Sequence, residues 1–164
     1  MSLSHTLFTS LPQSKIHYIH YNISIAEKEF ILTKELLNKE NISYIVAILP
    51  QKNDFLKING AIKDFPYTVL DYGEKHDTTM NTKLFDDCIS TFSKRGKHCR
   101  VLVVCNNGYQ RSIPFIVYYL ITLHSNEFPT IEKALKLILS VVDESNYTDI
   151  LALTIENVST LLST

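Results

Sequence analysis

The chain has 164 residues, 16 of them Lys or Arg and 17 Asp or Glu, for a net charge of −1 at pH 7. Its 45% apolar and 20% charged composition, with 4 Gly and 5 Pro, is that of a globular chain and excludes disordered and collagen-like classes. Near-neutrality argues against a strongly basic nucleic-acid binder, and no apolar run reaches the roughly 18 residues that a membrane-spanning helix needs.

The length predicts one domain over 1–164, large enough for one sizeable core. The first ten residues lack a basic start and a long apolar stretch, Ser2 stands where myristoylation needs Gly, and no prenylation Cys ends the chain, so no leader or lipid anchor is expected. Residues 14–20 alternate through Ile16 and Tyr18 and predict a first strand. Residues 26–39 carry Phe30, Ile31, Leu36 and Leu37 among Lys and Glu, a stripe that predicts a helix. Residues 42–49 are β-branched and aromatic up to Pro50 and predict a buried strand. A short strand over 67–71 opens into the polar segment 72–79.

Leu84, Cys88, Ile89 and Phe92 recur at helical spacing over 84–93, with Gly96 just beyond. A basic turn over 94–100 follows, solvated and able to attract anionic partners. Four apolar residues in a row, 101–104, mark a central strand buried on both faces. Apolar helices are then expected over 112–124, 131–142 and 149–162. The order predicts an α/β fold, with a sheet flanked by helices.

The three cysteines, Cys88, Cys99 and Cys105, form no C-x-x-C pair and no disulfide framework, which implies a reducing cytoplasmic or nuclear setting. Neither they nor the six scattered histidines show ligand spacing, so no metal and no cofactor are expected.

One segment carries chemistry. Strand 101–104 runs into Cys105, Asn106, Asn107, Gly108, Tyr109, Gln110, Arg111 and Ser112, and then into a helix. A loop that leaves a parallel strand and wraps a helix N-terminus aims several backbone N–H groups at one point, which suits an anion. Gly108 allows the tight curl. Cys105 at the base of that positive field is favoured as thiolate and hence as nucleophile. Arg111 can fold back to grip two phosphate oxygens in its planar fork. The Ser112 hydroxyl can reach the sulfur and ease its departure.

These residues resemble the signature of the cysteine-dependent protein phosphatases, His-Cys-x5-Arg-Ser/Thr, and within them the small dual-specificity branch. The resemblance extends over most of the chain: the strand at 42–49, the strand and polar loop 67–79, the helix 84–93, the signature and the helical tail. It implies a central, mostly parallel sheet of four to five strands flanked by helices. By the same resemblance Cys105 is the nucleophile and Arg111 the phosphate clamp. Asn106, Asn107, Gly108, Tyr109 and Gln110 supply backbone amides, and Ser112 assists breakdown of a phosphocysteine. The family's general acid is an Asp on the loop after the strand that precedes the signature. Asp77, in mid-loop, is preferred over Asp71 and Glu74, and Asp71 also fits a turn or capping role at its strand end.

Two departures stand out. Val104 replaces the family's His and has no side-chain hydrogen bond to offer the network around the thiolate, so a slower nucleophile is expected. Asn106 and Asn107 are bulkier than the usual small residues. The implied activity is hydrolysis of phosphomonoesters on a phosphorylated protein by a monomer, without nucleic acid or membrane. The alternative is a weak or inactive pseudophosphatase that binds phosphoproteins. Lipid or RNA 5′-phosphate substrates fit less well, because the loop lacks extra basic residues.

Overall fold

The computed structural model describes residues 16–26, 32–49, 60, 64–71, 82–105, 109, 111–142 and 147–163. Five strands form one sheet: β1 (Ile16–His20), β2 (Ile23–Ala26), β3 (Tyr44–Leu49), β4 (Tyr67–Asp71) and β5 (Val101–Cys105), in the order β1-β2-β5-β3-β4. Only β1 is antiparallel to its neighbour; β2, β5, β3 and β4 run parallel. The expected mostly parallel α/β sheet is therefore present, with β5 at its centre.

Alternation along β5 distributes its side chains between two cores, because successive residues of a strand face opposite sides. Val101, Val103 and Cys105 enter the larger cluster, with Ile25, Phe85, Phe115 and Ile116. Leu102 enters the smaller cluster on the other face, with Leu37, Ile45 and Ala47, and Val104 packs against it.

The helices follow from their stripes and caps. The short α1 (Lys34–Lys39) starts where the Thr33 hydroxyl accepts from Leu36 N at 3.2 Å, and it buries Leu37. The next helix, α2 (Thr82–Ser93), buries Cys88, Ile89 and Phe92 as expected from spacing. Its fourth buried residue is Phe85, while the expected Leu84 is 43% exposed because the core-facing side of the helix is turned by one residue. In α3 (Ser112–Leu123) every residue from Ser112 to Leu120 is buried, as befits a helix apolar all round and surrounded by other elements. Pro114 is tolerated because it lies in the first turn, where its missing N–H has no intrahelical partner to lose. Thr130 caps α4 (Ile131–Val141) by accepting from Lys133 N at 3.2 Å. The last helix, α5 (Tyr147–Ser163), packs against α3 and α4, and its Leu161 carbonyl accepts from Thr82 Oγ1 at 3.3 Å. Among the described residues no helix is long and apolar enough to cross a membrane.

One expected element is also overturned. The single helix predicted over 26–39 is absent: Ala26 ends β2, Leu32 and Thr33 are non-helical, and α1 begins at Lys34. Residues 27–31 lie outside the described residues, as do Ser14 and Lys15 of the first expected strand. Tyr21 and Asn22 take left-handed φ values of 47° and 68° and turn the chain back. This lets the four fully buried residues of β2 pair with β1 and β5. Strand pairing claims Ala26, and the extended Thr33 cap starts the helix at Lys34, so Leu36 and Leu37 of the expected stripe are helical.

The hairpin turn docks on the corner between α3 and α4. The Tyr21 ring stacks on His124 at 3.6 Å between centroids, its hydroxyl donates to Glu127, and His20 Nε2 lies 3.1 Å from Glu127 Oε1. Burial, with His20 nearby, holds the His124 imidazole below its ordinary 6.5, although Glu127 pulls the other way. The Tyr21 hydrogen bond holds the Glu127 carboxyl below its ordinary range, with His20 and Lys133 adding to it.

Both folded values are depressed, so the unfolded chain takes up protons that the folded chain resists. The stabilisation is complete at neutral pH and is lost as the pH falls, first through His124 from about 6.5 downward. Melting temperature is expected to drop over that window, and His124→Asn to flatten the drop. A melt independent of pH there would contradict this.

Candidate functional site

In an open parallel sheet, ligands bind beyond the carboxyl ends of the strands. Cys105 is the last residue of β5, paired with Ile48 of β3, and is 5% exposed. On the next rung of β3, Leu49 pairs with Asp71, the last residue of β4. Cys105 and Asp71 therefore leave the sheet at nearly the same level, two strand spacings or about 10 Å apart.

Past Cys105 the chain enters α3. Arg111 is the residue before the helix, half-buried, with φ −100° and ψ −32°, and its side chain is not used as a helix cap. Its carbonyl accepts from Phe115 N at 3.4 Å. Ser112, the first helical residue, is fully buried, and its hydroxyl has no hydrogen-bond partner among the described residues. A buried hydroxyl without a partner costs about 1–3 kcal/mol, so a serine here calls for a partner in the loop or in a ligand.

Tyr109 is the described residue of the intervening loop. Its carbonyl accepts from Ile113 N at 3.0 Å, and its side chain is 6% exposed within the larger core cluster. The sequence suggested only its backbone amide as functional; the structure shows the ring anchoring the loop to the core. A large aromatic amid polar loop residues was the available signal.

The remaining expected residues lie outside the described ones: Asn106, Asn107, Gly108 and Gln110 of the loop, and the acid candidates Asp77 and Glu74. Asp71 is described as a strand end. Among the described residues, no group of His, Cys, Asp and Glu is placed to hold a metal ion.

The other thiols differ from Cys105 in setting. Cys88 lies inside α2, where burial pushes its thiol up to about 12, so it stays protonated at neutral pH. Cys99 is buried before the start of β5, at the opposite end of the strand from Cys105. Val104 faces away from the larger core and packs among apolar side chains of the smaller cluster. A histidine at that position would have to bring its ring into this apolar setting.

No protein-family model and no curated protein matches the chain. Solved structures do. The human tyrosine phosphatase-like serine/threonine/tyrosine-interacting protein superposes with a TM-score of 0.60 at 18% identity, covering 85% of this chain and 95% of that one. A mouse putative dual specificity phosphatase complexed with zinc tungstate gives 0.64 at 16%, covering 94% and 92%. A leucine rich repeat and phosphatase domain containing protein from Entamoeba histolytica gives 0.53 at 14%, covering 92% and 96%. At such identities the likeness is one of fold, and that fold is the one found in dual-specificity phosphatases.

Proposed function

We propose that this chain is a cysteine-based phosphoprotein phosphatase of the tyrosine or dual-specificity type. The observation that carries the reading is the placement of Cys105 at the carboxyl end of the central parallel strand, with Arg111 and the buried Ser112 opening the next helix. The fold is that of such phosphatases, and the spacing of Cys105, Arg111 and Ser112 fits their signature.

In this reading the Cys105 thiolate attacks phosphorus in line, forming a P–S bond as the P–O bond to the leaving oxygen breaks. Arg111 and the loop amides of residues 106–110 hold the equatorial oxygens, and Asp77 gives its proton to the leaving oxygen. Water then attacks phosphorus and passes a proton to the same carboxylate. Inorganic phosphate leaves, and Ser112 donates to the departing sulfur. The steps call on positioning and charge rather than on a metal or cofactor.

The pH–rate profile of an aryl phosphate tests the acid. Asp77→Asn is expected to lower turnover about 100-fold and to remove the alkaline fall of the profile. Asp71→Asn should leave that limb in place. The reverse pattern would transfer the role to Asp71.

A second reading, a phosphoprotein-binding pseudophosphatase, is favoured by Val104, whose apolar packing supplies no hydrogen bond beneath the thiol. Binding needs only the loop and Arg111. Absence of aryl phosphate turnover over roughly pH 5–8, around the usual working range of such acid–base groups, with phosphopeptide still bound, would select it.

A further inference from the structure

We infer that the end of the sheet opposite Cys105 carries a second ligand site, one that takes a small aromatic anion. A cavity of about 640 Å³ opens there. Its floor includes Ile23 and Val101, the first paired residues of β2 and β5. Cys105 lies four residues further along β5, about 13 Å away, and neither it nor Arg111 lines the cavity.

Small-molecule sites are typically concave, about 300–1,000 Å³, mostly apolar, with a few polar groups. Here Phe92 and Tyr119, 4% and 7% exposed, pack against each other with ring centroids 5.6 Å apart and planes tilted by 53°, and both line the cavity. Aromatic walls favour a flat aromatic guest through offset stacking. Leu123, 50% exposed, stands at the mouth, and buried Cys99 contributes to the floor. The frame is held from both sides. The Asn22 amide donates to the Lys97 carbonyl, and the stack of Tyr21 on His124 ties the hairpin to α3.

The sign of the guest follows from the basic turn after α2, which the phosphatase reading leaves unused. Arg95 and Arg100 lie over the Tyr44 and Tyr18 rings, while Lys97 is exposed and lines the cavity. The carboxylate near this corner, Glu127, is engaged by Tyr21 and His20. An aryl group thus meets the Phe92 and Tyr119 rings inside, with its anionic end toward Lys97.

Anilinonaphthalene sulfonate has this shape and charge and serves as the probe on the full chain. It is expected to give a saturable fluorescence rise that saturating inorganic phosphate does not displace. Lys97→Glu should weaken it about fivefold and Leu123→Glu about tenfold. Both substitutions are at exposed side chains, and their melting curves should match wild type. Phenylnaphthylamine, with the same rings and no sulfonate, should be indifferent to Lys97→Glu. Bound sulfonate should slow N-ethylmaleimide labelling of Cys99 several-fold by mass spectrometry. Displacement by phosphate, equal binding to both variants, unprotected Cys99, or no saturable rise would each overturn the site.

Discussion

Cys105→Ser is expected to reduce turnover of an aryl phosphate to background, a loss of at least about 10³-fold, while leaving the fold intact. Serine keeps the shape of the side chain but presents a hydroxyl that stays protonated at neutral pH, so no anionic nucleophile forms. The site is 5% exposed and shares its core with Val103 and Phe115. Exchanging sulfur for a smaller oxygen there should cost about 1 kcal/mol, which moves the melting temperature of a chain this size by only about 2–4 °C. Phosphate or a phosphopeptide should still bind. Turnover equal to wild type in this variant would rule the thiolate mechanism out, and it would leave the aryl-anion cavity untouched.

Arg111→Lys is the second large effect. Lysine keeps the positive charge but loses the planar fork, so two parallel hydrogen bonds to one phosphate become a single point contact. A loss of about 10²–10³-fold in kcat/KM is expected, similar to removing a donor from a charge-stabilising site. The substitution should be tolerated by the fold, because the Arg111 backbone conformation is ordinary and its side chain does not cap α3. The two variants separate the readings. An enzyme loses turnover in both but binding only in Arg111→Lys. A pseudophosphatase has no turnover to lose, and only its binding falls in Arg111→Lys. A lysine variant as fast as wild type would show that the fork is not used.

Much of the fold was legible because its signals were local and mutually consistent. The apolar run at 101–104 predicted a strand buried on both faces, and β5 is the central strand. The stripe at Leu84, Cys88, Ile89 and Phe92 predicted α2, which starts two residues earlier than expected, at Thr82, and buries Phe85 in place of Leu84. β2 was missed because it has only four residues, and the turn that creates it rests on left-handed Tyr21 and Asn22 without a glycine. The role of Tyr109 was half legible: its place in the loop could be read, but not the burial of its ring.

By itself the sequence determined the chemistry on offer: a thiol, a guanidinium and a hydroxyl at fixed spacing, flanked by a strand and a helix. Spacing along a chain is a covalent fact and needs no fold to be read. Only the tertiary structure decided that Asp71 leaves the sheet at the level of Cys105, that Val104 belongs to the opposite core, and that Lys97 borders a cavity walled by Phe92 and Tyr119. Each of those relations joins residues distant in sequence. They are brought together by strand register and core packing, which depend on all the buried side chains at once.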